Sequence, residues 1–512
     1  MLNPLNLANK ESDMNISLIL IFGTMLLALW LGVRAQRGKD MSLEQWTVAG
    51  RGFGAGLVFL LMAGEIYTTF VFLGGSGFAY GVGGPAYYML GFGSLSFVLS
   101  YWLLPPIWRF AKTHSLLSQP DFFAKKFNSP ALGILVALVG VVALMPYLVL
   151  QLKGLGIIVS VASYSGLSST QGVWIGAIVT VIYVMVSGVH GSAWTSVLKD
   201  FLVLAVAIFL GLYLPWHYYG GITPMFEAIE HAKPGFLALP ATGKSAVWMT
   251  STVLLTTLGF YMWPHMFMAS FTAKSAQNLR RNAYTLPIYQ MMLLFVFFVG
   301  FAAVLQIPGL TGPDIDLALF KISLATFDPW VVGIIGAAGV LTAIVPGSMI
   351  LMAVSTLLAN NVYRAWRTST GNAAADNQHI GRVAKLAAPL VMLAGLWFTL
   401  QGGQTIVSLL LMAYSLVTQL FPALLASLLP SRPVSKAGAI VGILVGEATV
   451  AVLSITKMTI ADLLPFIPDA LKDTNVGVVA LALNVIAMVL VSAVTRSSAK
   501  QSSGSLQADS VA

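Results

Sequence analysis

The chain contains no cysteine, which removes disulfide bridges, thiolate-held metals and cysteine nucleophiles from consideration. Charge is scarce as well: Asp, Glu, Lys and Arg make up 9% of 512 residues, too little to solvate a soluble protein of this length. Histidines number six and are scattered as His114, His190, His217, His231, His265 and His379, with no HExxH-like pair. A membrane enzyme needs a nucleophile beside a base, or paired carboxylates with a metal, at facing positions. No such set is visible, so an enzyme is a remote alternative and no cofactor is expected. What remains is apolar: 57% of residues are hydrophobic, and the mean hydropathy is +0.85. The chain reads as an all-α polytopic membrane protein, with the lipid bilayer as its surroundings.

Met1 to Asp13 forms a polar, extracytoplasmic N-terminal tail. The run from Met14 to Val33 is too long, and lacks the basic flank, for a cleavable signal; Met14 offers an alternative start. Further apolar runs at 54–80, 85–108, 131–162, 172–189, 193–215, 247–271, 285–306, 329–360, 384–402, 404–428, 436–456 and 474–495 bring the count to about 13 transmembrane helices. With the first loop in the cytoplasm, roughly 20 of the 27 Lys and Arg fall on cytoplasmic loops or helix ends and roughly 6 outside. The N-terminus is therefore expected outside and the C-terminus inside. That bias accounts for most of the net charge of +9, so nucleic-acid binding is not expected and no obligate protein partner is evident. Residues 497–512 read as a short disordered tail.

Two spans are irregular. Leu60 to Gly84 carries Glu65 and then Gly74, Gly75 and Gly77, and 247–271 carries Gly259 and Trp263-Pro264-His265 at mid-helix. In hydrocarbon an unwound backbone survives only where protein, an ion or a substrate satisfies its amides and carbonyls. Two interrupted helices five spans apart mark an inverted-repeat transporter with a midplane site. The expected division is 14–53 (first helix and cytoplasmic loop), 54–216 (first repeat), 217–246 (external loop), 247–428 (second repeat) and 429–496 (the last two helices). The competing reading gives the glycines to close helix packing and lets Glu65 snorkel. A channel is a further alternative, although two broken helices favour a gated binding site.

Other charges also lie within spans: Lys199 and Asp200 in the cytoplasmic half of the sixth, Glu447 in the twelfth and Lys153 near the outer end of the fourth. Lys199 and Asp200 point about 100° apart on a helix and need not pair. Glu447 reads as structural, and Lys153 as a lysine that snorkels outward.

Several segments resemble the sodium:solute symporter family: WTVAGRGFG (Trp46 to Gly54), SQPDFFAKKF (Ser118 to Phe127), GVHGSAWTSVLKD (Gly188 to Asp200) and TAKS (Thr272 to Ser275) followed by Arg280 and Arg281. The resemblance covers nearly the whole chain. It implies a leucine-transporter-like core of two inverted five-helix repeats working by alternating access. Gly64-Glu65-Ile66-Tyr67-Thr68, MPYLVLQ (Met145 to Gln151), Trp263-Pro264-His265, Arg281-Asn282-Ala283 to Pro287 and Val345-Pro346 look most like the bacterial monocarboxylate permeases. That implies import of pyruvate, lactate, acetate or a similar small carboxylate. An anion at the midplane needs donors, and backbone N–H groups at the breaks join Tyr67, Thr68, Gln151, Tyr261 and His265 as candidates. Each side chain has the alternative of a polar group that only packs helices, and His265 that of a neutral histidine bonded within the bundle.

In the sodium-coupled members, the ion site takes backbone carbonyls of the first core helix and an alanine carbonyl and two adjacent hydroxyls of the eighth. By resemblance these carry over to Ala63 and Ile66, and to Thr342, Val345 and Pro346. Valine and proline offer no side-chain oxygen, so the sodium site looks degraded. Where the family usually has an aspartate this chain has Ser196, and Lys199 stands a turn further on. The resemblance then implies coupling to H+, with Lys199 in the vacant ion position and Glu65 or Asp200 as a proton relay. The alternatives are a snorkelling Lys199, or Na+ held through shifted residues such as Ser348, with another small solute such as an amino acid carried.

Overall fold

The computed structural model describes residues 4–164, 166–370, 377–431, 433–463 and 465–508. Among these residues the chain is helical, with one isolated parallel bridge between Phe53 and Ala273. Among the described residues ten helices are long and apolar enough to cross a membrane, against the 13 expected. The difference lies in one fused helix and two interrupted ones.

The first helix, α1 (Pro4–Gln36), already includes most of the segment expected as a polar tail. The first interrupted span consists of α2 (Ala55–Gly64), a wide π-type turn at Phe70–Gly75 and α3 (Ser76–Val82). Two full-length helices follow, α4 (Tyr88–Thr113) and α5 (Pro130–Ala162). The next, α6 (Ser169–Tyr219), has 51 residues and holds two of the expected spans. At Gly188 its backbone takes φ 55 and ψ −155. The Tyr183 hydroxyl donates to Thr195 Oγ1 at 2.7 Å, whereas a straight helix would hold these residues about 18 Å apart. The chain therefore turns back at Gly188. A side chain there would meet Trp46, whose Cδ1 lies 2.4 Å from the position of an added Cβ.

The second interrupted span is α7 (Ala246–Gly259), a tight turn at Phe260–Met262 and α8 (Pro264–Phe271). Trp263 between them is extended, at φ −59 and ψ 123. Proline excludes its predecessor from the helical region and is itself well suited to open a helix, so Pro264 dictates both the stop and the restart. Beyond it lie α9 (Ala276–Gln290), α10 (Pro329–Thr356), α11 (Ile406–Val417), α12 (Lys436–Thr456) and α13 (Val476–Ala508). Helix α10 is apolar on all sides because neighbours surround it: 94% of its most apolar 18-residue stretch is buried. Residues 497–508 continue α13 where a disordered tail was expected, since no proline or helix-ending glycine signal intervenes before them. Residues 509–512 lie outside the described residues.

The glycine cluster does not make the first break. Helical order stops at Glu65–Thr68, and Gly74, Gly75 and Gly77 sit in the helical turns that resume after it. These glycines admit close neighbours: an added Cβ at Gly77 would lie 2.6 Å from the Ile315 carbonyl oxygen, and one at Gly74 2.9 Å from Ile406. The segment 217–246, expected as an external loop, contains a helix, Ile222–Ala232. It then folds over the end of α3, where the Gly84 N–H donates to Phe236 O at 3.2 Å.

Candidate functional site

The first break leaves backbone groups without helical partners, and side chains from other helices take them. Lys199 of α6 donates from Nζ to the Gly64 carbonyl, and the Tyr147 hydroxyl of α5 lies 3.5 Å from the Glu65 carbonyl. Thr68 Oγ1 accepts from the Phe70 N–H at 3.1 Å, a local cap for the helix that restarts there. Across the second break, Gln119 donates to the Met262 carbonyl at 2.8 Å.

Between the breaks lies a small cavity of about 20 Å³, room for one water molecule and too little for a carboxylate solute. Its polar lining is Glu65, Tyr147, Gln290 and Tyr414, set among Phe70, Phe92 and Phe260. Glu65 and Ile66 are the expected site residues that reach it. Tyr147 belongs to the MPYLVLQ segment, but Gln290 and Tyr414 were not foreseen. An uncharged polar residue in mid-span, such as Gln290, was the available signal.

The other expected residues sit around this cavity. Tyr67 donates to the Tyr289 carbonyl at 2.9 Å. Gln151 Oε1 accepts from Thr69 at 2.6 Å, and its Nε2 has no hydrogen-bond partner among the described residues. Tyr261 is fully buried beside Phe260, their ring centroids 5.0 Å apart. His265 Nε2 stands 3.7 Å from Glu65 Oε2.

At the expected ion position, the Ala63 carbonyl already accepts from Ile66 and Tyr67, and the Ile66 carbonyl from Thr68. Thr342 Oγ1 donates to Gly339 within its own helix. Val345 and Pro346 are buried and offer no side-chain oxygen. The nearby hydroxyls of Ser192 and Ser348 pair at 2.8 Å. Lys199 is fully buried, so it does not reach the cytoplasmic face, and its ammonium stands 3.7 Å from Asp200 Oδ1. The two neighbours thus approach each other, because both lean toward the broken end of α2. Glu447 of α12 lies outside this cluster, and its Oε1 has no hydrogen-bond partner among the described residues. Lys153 does not snorkel freely: it holds the Asp316 carboxylate and the Gln404 carbonyl, each at 2.6 Å.

The segments that carry the family resemblance converge on the same end of the bundle. Trp46 donates its indole N–H to the Val184 carbonyl at 3.1 Å, beside the turn at Gly188. The Phe53 N–H donates to Thr272 O at 3.0 Å and the Lys274 N–H to Phe53 O at 2.9 Å, so the loops after the first helix and after the second break clasp each other. Asp121 closes a capping box with Ser118 and accepts from Asn360 and Asn361.

Comparison with known proteins agrees with this arrangement. The sequence profile of the sodium:solute symporter family matches residues 46–446. A Bacillus subtilis (strain 168) protein described as the uncharacterized symporter YhjB is 60% identical over 483 residues, 94% of this chain and 98% of the relative. A monocarboxylate transport permease protein of Rhizobium johnstonii is 26% identical over 359 residues, 69% of this chain and 70% of its own. The solved structure of a Na+-coupled sialic acid symporter, substrate-bound and outward-open, matches with a TM-score of 0.74 at 18% identity, over 94% of this chain and 98% of that one. That likeness carries the fold, the leucine-transporter-like architecture expected from the sequence. This multi-pass membrane protein belongs to the sodium:solute symporter family.

Proposed function

We propose that the protein imports short monocarboxylates such as pyruvate, lactate or acetate by alternating access, in symport with H+ and independently of Na+. Residues 54–216 and 247–428 serve as the two inverted repeats, in a bacterial inner membrane with the N-terminus outside and the C-terminus cytoplasmic. One observation carries the coupling half: the Lys199 ammonium binds the Gly64 carbonyl at the broken end of α2. A fixed cation on that carbonyl, next to the Ala63 and Ile66 carbonyls of the expected ion position, opposes a second cation there by like-charge repulsion. The substrate half rests on the monocarboxylate-permease segments and on the permease relative. Tyr67, Thr68, Gln151, Tyr261 and His265 hold the cavity walls or enter the site as it opens.

A second reading is sodium-coupled symport of an amino acid or similar solute. The unpartnered Glu65 carboxylate in the cavity favours it, because a substrate ammonium would pair there. Uptake of radiolabelled pyruvate, lactate, acetate, alanine and proline into proteoliposomes, with sodium and proton gradients imposed separately, separates the two. Monocarboxylate uptake driven by an inward proton gradient in sodium-free buffer is expected. Strict sodium dependence overturns the coupling, and uptake of alanine or proline alone overturns the substrate.

A further inference from the structure

Helix α1 lies outside the two proposed repeats and packs against α6 where that helix reverses. An added Cβ at Gly32 would lie 3.0 Å from the Tyr183 ring and from Ser187 Cβ, and one at Gly191 3.2 Å from Gly32 Cα, so α1 touches both limbs of α6. Beside this contact the two helices leave a cavity of about 360 Å³, lined by Trp30, Leu31, Arg34 and Ala35 of α1 and by Trp194 of α6.

The walls of this cavity are apolar, and its one charge is positive. Trp30 and Trp194 are each 51% exposed, and the Arg34 guanidinium stands over the Trp30 ring, 5.2 Å from its centroid, as their four-residue spacing on a helix allows. Arg34 enters none of the ion pairs among the described residues, and no carboxylate lines the cavity. A second cation stands close by: the Lys39 ammonium donates to the Ala35 carbonyl at 2.6 Å and to His190 Nδ1 at 2.8 Å.

The height of the cavity in the membrane decides what fills it. The apolar span of α1 runs from Asn15 to Gln36, so Trp30 falls in its last two turns and Arg34 at its end. Tryptophan concentrates where hydrocarbon meets water, and cations at that level meet lipid head groups. A soluble anion gains nothing from indole walls, and a lipid without net charge gains little from two cations without a carboxylate partner. An anionic phospholipid uses both.

We propose that this cavity binds one anionic phospholipid, its phosphate held by the Arg34 guanidinium and an acyl chain lying between the Trp30 and Trp194 indoles. A guanidinium suits that task because its parallel N–H groups take two phosphate oxygens at once. Lys39 adds positive potential from the next turn. In the orientation proposed above, the lipid comes from the cytoplasmic leaflet. It ties α1 to the limb of α6 that carries Lys199, and the site stands whichever solute the protein carries.

The test uses the full-length protein in phosphatidylcholine vesicles with a trace of phosphatidylglycerol that bears a photoreactive diazirine in its acyl chain. After irradiation the adducts are mapped by peptide mass spectrometry, and they should concentrate on Trp30, Leu31 and Trp194. Excess unlabelled phosphatidylglycerol should suppress them about fivefold more strongly than the same excess of phosphatidylcholine, the discrimination that one cation near a membrane surface gives. Arg34→Gln keeps the apolar walls and should lower the adduct yield by about fivefold, and Arg34→Lys should recover part of it. Adducts spread evenly over other lipid-facing residues such as Leu390 and Ile486, or equal competition by the two lipids, overturn the site even if no variant folds. An Arg34→Gln yield equal to the wild type overturns it as well. A Trp30→Cys variant, in a chain with no other cysteine, that forms interchain disulfides in the vesicles assigns this face to a second copy and removes the lipid from it.

Discussion

The ammonium of Lys153 and the carboxylate of Asp316 stand 2.6 Å apart, joining α5 to the connection between residues 307 and 328. Asp316 is fully buried and also accepts from the Ile406 N–H at 3.0 Å, which ties the start of α11 into the same knot. The backbone of that connection presses on Gly77 of α3. In the orientation proposed above this end of the bundle faces out, and the knot is proposed to act there as a latch.

Removing Lys153 leaves Asp316 buried without its cation, a loss on the order of 3 kcal/mol from the closed arrangement. Lys153→Ala should therefore shift the population toward the outward-open form. The chain has no native cysteine, so Leu410→Cys in the cavity wall can be labelled cleanly with a membrane-impermeant maleimide from outside. Faster labelling in the Lys153→Ala background is the expected result, and an unchanged rate would exclude the latch.

Gly64 has no room for a side chain. An alanine Cβ there would lie 2.5 Å from Ser196 Oγ and 3.5 Å from Lys199 Nζ. Gly64→Ala should displace the ammonium from its carbonyl and lower proton-driven uptake by at least about tenfold, equivalent to about 1.4 kcal/mol. Ser196→Gly removes the clashing atoms and should restore part of the loss. If uptake by Gly64→Ala equals the wild type, Lys199 is not held as argued.

Lys199→Ala should abolish accumulation against a gradient while sparing exchange of labelled for unlabelled substrate. Arginine is not equivalent at this site, because a planar guanidinium does not fit a position shaped for a compact ammonium. Accumulation by Lys199→Arg or Lys199→Gln at the wild-type level would assign the lysine a packing role only.

Within the cavity, Tyr147→Phe and Gln290→Ala should each weaken apparent affinity by roughly 10- to 150-fold, the loss of a hydrogen bond to a buried carboxylate at about 1.5–3 kcal/mol. Thr68→Ala should act less strongly on affinity, since Thr68 Oγ1 caps the Phe70 N–H and does not line the cavity. Competition binding, normalised to membrane abundance, measures both. Equal effects at all three positions would place Thr68 at the substrate.

Gly188→Ala should prevent the chain from reversing in α6. Its φ of 55 is costly for any residue with a Cβ, and that Cβ would meet the Trp46 ring and carbonyl. The readout is a monodisperse peak of tagged protein after detergent extraction, expected to be lost. A normal peak would show that the reversal tolerates another backbone path.

The sequence by itself determined the class, most of the spans and the second break. Those properties are local: hydropathy depends on composition, and Pro264 acts on Trp263 through one peptide bond. Only the family resemblance, and no local pattern, led to Lys199 being expected beside the first break, where its ammonium meets the Gly64 carbonyl. Tertiary structure alone decided three further matters. The first break has no proline to announce it, so the glycines misplaced it; its position depends on Lys199 and Tyr147 arriving from other helices to take its carbonyls. The turn at Gly188 is hidden in an unbroken helical pattern and is visible only because Trp46 occupies the space that a side chain would need. The pairings Glu65–His265 and Lys153–Asp316 join residues 200 and 163 positions apart. No periodicity reports contacts at that separation, because they follow from how the helices pack and not from any local rule.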